Sequence, residues 1–66
     1  METNHTPLDT GFLGNILEML ATELEAALDV VTRHDAETRM LEILDHCFKA
    51  SVLAKTGHMM VERASG

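Results

Sequence analysis

Residues 13–31 read Leu-Gly-Asn-Ile-Leu-Glu-Met-Leu-Ala-Thr-Glu-Leu-Glu-Ala-Ala-Leu-Asp-Val-Val, and this stretch decides the fold. Leu13, Leu17, Leu20, Leu24, Ala27 and Val31 recur at alternating spacings of four and three, the seam of an amphipathic helix. Leu8, Phe12, Ile16 and Met19 form a second ridge beside that seam. Together they make helix one apolar over roughly half its circumference, wider than the ~100° stripe that one neighbouring helix covers. The rest of the chain is read as what covers that face.

At 66 residues there is room for one small unit, and chains of this size gain stability from disulfides, a metal or self-association. A single cysteine, Cys47, excludes an intrachain disulfide and points to a reducing compartment, with the cytoplasm as the default location. Charge interrupts every apolar run, so no membrane span is expected, and the first residues lack the basic-then-apolar order of a signal peptide. The net charge is −6 and is unevenly spread. Residues 1–31 hold Glu2, Asp9, Glu18, Glu23, Glu25 and Asp29 with no lysine or arginine, whereas from Thr32 onward five acids balance five bases. An acidic first helix repels phosphate backbones and anionic lipid, which speaks against nucleic acid and membrane as partners.

In order along the chain, residues 1–6 are expected to be a mobile tail, and helix one is expected over 7–33. Thr6, Pro7 and Asp9 supply a cap, a first-turn proline and an acid three residues after the cap. A start at Thr10 is the alternative, because Gly11 and Gly14 weaken the first turns. Arg33 and His34 suit a helix end, and Asp35 can cap the next helix. Helix two is expected over 36–63. Its line is Met40, Leu44, Cys47, Ser51, Ala54 and His58, flanked by Leu41 and Phe48 on one side and by Ile43 and Ala50 on the other. Gly57 reads either as a C-cap or as an interior residue, since Met59 to Arg63 continue a helical pattern. A short connection makes the two helices antiparallel neighbours, and a fold-back at His34–Asp35 pairs Leu24 with Leu44, Leu20 with Cys47, Leu17 with Ser51 and Leu13 with Ala54. One unbroken helix through residues 32–37 is the alternative to that turn.

The expected fold is therefore an all-α antiparallel hairpin that dimerises into a four-helix bundle. Its core is Leu13, Leu17, Leu20, Leu24, Val31, Met40, Leu44, Cys47 and Phe48; its dimer or partner interface is Leu8, Phe12, Ile16, Met19, Leu53, Met59 and Met60. Dimerisation is expected because a lone hairpin leaves the Leu8, Phe12, Ile16, Met19 ridge in water.

No catalytic site is expected, because a two-helix unit has no cleft for nucleophilic chemistry. Cys47, between Leu44 and Phe48, reads as a buried structural thiol. Cys47 and His58 lie about 16 Å apart along one helix face, too far to share a metal ion. Glu42 with His46 and His58 with Glu62 are i, i+4 pairs, yet the Glu-x-x-His pairs and inward glutamates of a carboxylate di-metal bundle are missing. No metal and no cofactor are expected, and the histidines read as surface residues.

The length, the two-helix plan and the run Leu53-Ala54-Lys55-Thr56-Gly57 resemble a helix-two ending of the Rop-like RNA-binding proteins. That resemblance implies an RNA-binding regulator, but it carries over no RNA-binding residue, because residues 1–31 hold no lysine or arginine to touch phosphate. The functional expectation is instead a homodimeric, non-catalytic protein that binds and inhibits, sequesters or chaperones a larger protein. An RNA-binding regulator or a purely structural assembly element is the alternative.

Overall fold

The computed structural model describes residues 7–65, and these form two helices joined by a short irregular connection. Helix α1 runs Thr10–Val31 and helix α2 runs Met40–Ser65, with a 3₁₀ segment at Ala36–Arg39. No strand occurs among the described residues. The expected tail and the Thr6 cap lie outside them.

Asp9 caps α1, where its carboxylate accepts a 2.9 Å hydrogen bond from the Phe12 backbone N–H. The capped start is thus at Thr10, three residues later than Pro7. Proline still fits, since just before the cap it costs no helical hydrogen bond. The far end stops at Val31, where the Thr32 N–H closes on the Leu28 carbonyl at 3.1 Å and Arg33 reaches back to Asp29. Asp35 does not cap with its side chain. Its backbone carbonyl accepts from Thr38 N–H at 3.0 Å, and this i→i+3 bond tightens the chain into the 3₁₀ segment before α2 begins. The connection breaks the helix where one continuous helix was the alternative.

Gly57 continues α2 without interruption. No glycine among the described residues has a positive φ, so the left-handed C-cap geometry does not occur there. Instead, Gly57 is buried against α1, and a Cβ built on it would meet Leu13 Cδ1 at 3.4 Å, Leu17 Cδ2 at 3.8 Å and Ile16 Cγ2 at 3.9 Å. The missing side chain lets the helices approach at this level. It also fixes the register: Leu13 lies opposite Gly57, about one turn beyond the expected Ala54. The shift arises because the connection, Thr32–Arg39 rather than His34–Asp35, extends further on the α2 side than on the α1 side and so moves its centre along the chain.

The packed seam is not the line expected from sequence. The less exposed positions of α1 include Leu13, Ile16, Leu20, Glu23, Ala27 and Val30, with Ala26 beside them; Arg39 of the 3₁₀ segment leads into Ile43, His46, Ala50, Leu53, Gly57, Met60 and Ala64 of α2. Both sets follow a regular 3-4 spacing, the signature of one helix packed along another. At 100° per residue, the α1 seam is turned about 50° from the expected line and the α2 seam about 110°. The physical reason is that the apolar arc of each helix is too broad for one neighbour. Sequence periodicity finds the middle of the arc, whereas the hairpin buries only one edge of it.

Candidate interaction surface

What the hairpin leaves open is the other edge of both arcs, and the two edges lie on the same face of the molecule. From α1 this front face presents Leu17, Ala21, Leu24, Leu28 and Val31; from α2 it presents Met40, Leu44, Cys47, Ser51 and Ala54. All ten are exposed, and none carries a formal charge. Leu20, Leu24, Cys47, Ala50, Ser51 and Ala54 line a shallow apolar groove along its middle. The hairpin's own core is correspondingly thin: Ile16, Ala27, Val30 and Ala50 are its buried apolar residues, and no described side chain is fully buried.

Several expected assignments change place as a result. Leu17, Leu24, Val31, Met40, Leu44, Cys47 and Phe48, expected in the hairpin core, are exposed. Leu13 and Leu20 do face α2, although partly covered. Of the residues expected to be left over for an interface, Ile16 is only 8% exposed and packs inside the hairpin, while Leu53 and Met60 are half-buried in its seam. Leu8, Phe12, Met19 and Met59 remain exposed. Leu8 also lines a shallow depression at the open end of the hairpin with Pro7, Asp9, Met60 and Arg63. The most exposed large side chains are elsewhere, Leu41 at 80% and Phe48 at 68%. With Val52 and Met59 they form a line along the α2 edge that points away from α1.

Polar contacts follow the same division. One cross-helix side-chain hydrogen bond occurs among the described residues, between His46 Nδ1 and Glu23 Oε1 at 2.7 Å. Both groups are about three-quarters covered, so the pair sits within the seam. This pair was missed in the sequence, where His46 reads as a surface residue. The available signal was that Glu23 and His46 interrupt two 3-4 apolar lines at matching heights. The remaining ion pairs among the described residues are local: Arg33–Asp29 at 2.6 Å, Arg39–Glu42 at 2.8 Å, Lys49–Asp45 at 3.0 Å, His58–Glu62 at 3.7 Å and Arg39–Asp35 at 3.8 Å. The hydrogen bond to Glu42 holds the Arg39 guanidinium above its ordinary pKa, and that to Asp45 does the same for the Lys49 ammonium. Lys55 and Glu18 make no ion pair among the described residues.

No group of three or more potential metal ligands comes together among the described residues, and no described helix is long and apolar enough to cross a membrane. The exposed feature that stands out is the uncharged front face with its apolar groove. Compared with protein-family models, curated proteins and solved structures, the chain matches none of them, so its reading rests on its own geometry.

Proposed function

We propose that this chain is a non-catalytic helical interaction protein that works as a homodimer and regulates a larger protein by binding it. The observation that carries the reading is the uncharged front face, where Leu17, Leu24, Leu28, Val31, Met40 and Leu44 are about half exposed or more. Complete burial of such a side chain is worth roughly 1.5–3 kcal/mol, so covering what remains open yields about 1 kcal/mol each. Two copies then recover on the order of 12 kcal/mol, comparable to the ~4–15 kcal/mol that association costs. The cross-over of small side chains at Cys47, Ser51 and Ala54 adds dispersion contacts to that balance.

Dimerisation over the front face leaves the outer edge of α2 free, with Leu41, Phe48, Val52 and Met59 on one line. An apolar helix edge of this kind fits a hydrophobic groove on another protein, which supports regulation by docking rather than by chemistry. The test has two parts. Sedimentation at micromolar concentration is expected to give a dimer, and a Phe48→Glu variant is expected to remain a dimer while losing proteins that the parent retains from host lysate. Retention of RNA that weakens steeply with salt would instead support the Rop-like alternative. A folded dimer that retains nothing would leave a purely structural role.

A further inference from the structure

We propose that the second copy seats on the front face with both turns at the same end of the bundle, so that α1 of each protomer packs on α2 of the other. This inference rests on the dimer reading above and adds the arrangement. Two identical faces can be related by a two-fold axis in two ways. An axis along the helices stacks α1 on the partner's α2. An axis across them stacks α1 on α1 and α2 on α2, with the turns at opposite ends.

Side-chain volume separates the two. The α1 edge of the front face carries Leu17, Leu24 and Leu28, whereas the middle of the α2 edge carries Cys47, Ser51 and Ala54. Within the hairpin, bulky α1 residues already lie against small α2 residues: Leu13 and Ile16 against Gly57, and Leu20 and Leu24 around the groove formed with Ala50 and Ala54. The same-end arrangement repeats that register between copies, setting Leu17 over Ala54 and Leu24 over Cys47 along the middle, while Leu28 and Val31 meet Leu44 and Met40 towards the turns. The crossed arrangement sets Leu17 on Leu24 along the α1 side and Cys47 on Ser51 at the middle of the α2 side, crowding the one and leaving a gap in the other, which close packing disfavours.

Charge points the same way. Glu18 and Glu25 border the front face on α1, and α1 contains no lysine or arginine. Stacking α1 on α1 brings Glu18 beside a second Glu25, like charges across an interface. Stacking α1 on α2 brings Glu18 level with Leu53, about 3 Å along the axis from Lys55, which borders the same face on α2 and whose long side chain spans that offset. Neither Glu18 nor Lys55 has an ion-pair partner within the described protomer. Flanking pairs of this kind set partner orientation in helical assemblies.

The test uses the full chain carrying Cys47→Ala and His34→Cys, with a spin label on the new thiol in the exposed turn, and sedimentation run alongside. A dimer with the two labels about 20 Å apart supports the arrangement. The 22-residue α1 is about 33 Å long, so a dimer with labels about 35 Å apart or more overturns it while leaving the dimer reading intact. A monomer overturns both. Charge reversal gives a second readout: Glu18→Lys and Lys55→Glu are each expected to weaken the dimer about tenfold at low salt, and the double variant to recover most of the loss. A Glu18→Lys dimer tighter than the parent would favour the crossed arrangement and contradict this one.

Discussion

Replacing Gly57 by alanine tests the register and the continuity of α2 together. An interior helical glycine costs about 1 kcal/mol relative to alanine. The added Cβ would meet Leu13 Cδ1 at 3.4 Å, Leu17 Cδ2 at 3.8 Å and Ile16 Cγ2 at 3.9 Å, all within ordinary van der Waals contact and all at the ends of adjustable side chains. No overlap offsets the propensity gain, and burying the new methyl contributes up to about 0.8 kcal/mol. Gly57→Ala is therefore expected to stabilise by about 1–2 kcal/mol, and each 1 kcal/mol raises the melting temperature of a chain this size by roughly 4–8 °C. Gly14→Ala is the control. Its Cβ finds nothing within 4 Å, so only the propensity part, about 1 kcal/mol, is expected. Gly57→Leu should reverse the sign, because the extra atoms overfill the approach by about 1–3 kcal/mol. The assay is urea unfolding of the three variants at one protein concentration, followed by helical circular dichroism. A destabilising Gly57→Ala beside a stabilising Gly14→Ala would refute the register, and equal tolerance of alanine and leucine at Gly57 would refute the close approach.

Three further outcomes follow from the same geometry. Asp9→Ala should cost about 0.5–2 kcal/mol through loss of the cap on Phe12 N–H, measurable by the same unfolding experiment, with Asp9→Asn close to the parent. Leucine at both Glu23 and His46 should be neutral or stabilising by up to about 4 kcal/mol, whereas Glu23→Leu alone should fall below the double variant because it leaves His46 without its partner; equal stabilities would mean the 2.7 Å pair is not coupled. Ile16→Ala should cost about 2–5 kcal/mol, while Leu28→Glu should lower dimer affinity without removing helical structure, because Ile16 is buried in the protomer and Leu28 is 63% exposed. Comparable effects on unfolding and association in both variants would place the seam elsewhere.

Helix content and the antiparallel plan were legible because the 3-4 spacing of leucines and the turn at residues 32–37 are local signals. The rotation of each helix was not. On α1 the apolar arc runs from Phe12 through Ile16 and Leu13 to Leu24 and Leu28, and nothing within one helix tells which edge a single neighbour will take. Glu23 and His46 belonged to the seam, yet each looks like a surface residue until its partner on the other helix is known. Gly57 was similarly ambiguous, since a glycine near a helix end serves equally as a cap or as a point of approach. The register depended on a 3₁₀ segment at Ala36–Arg39 that no proline or glycine announces. Of the residues expected on the leftover apolar face, Leu8, Phe12, Met19 and Met59 are exposed, whereas Ile16, Leu53 and Met60 lie in the seam and Leu17, Leu24 and Leu28 occupy the exposed edge instead.

The central claim is that the front face is covered by a second copy of the chain, and sedimentation equilibrium of the full chain from about 1 to 100 μM tests it most directly. The account predicts a 14.6 kDa species, twice the 7.3 kDa chain, that unfolds at higher temperature as concentration rises. Leu24→Glu should shift it to the monomer mass, because the charge falls in the middle of the apolar groove. A folded 7.3 kDa species across the whole range, with unfolding independent of concentration, would contradict it.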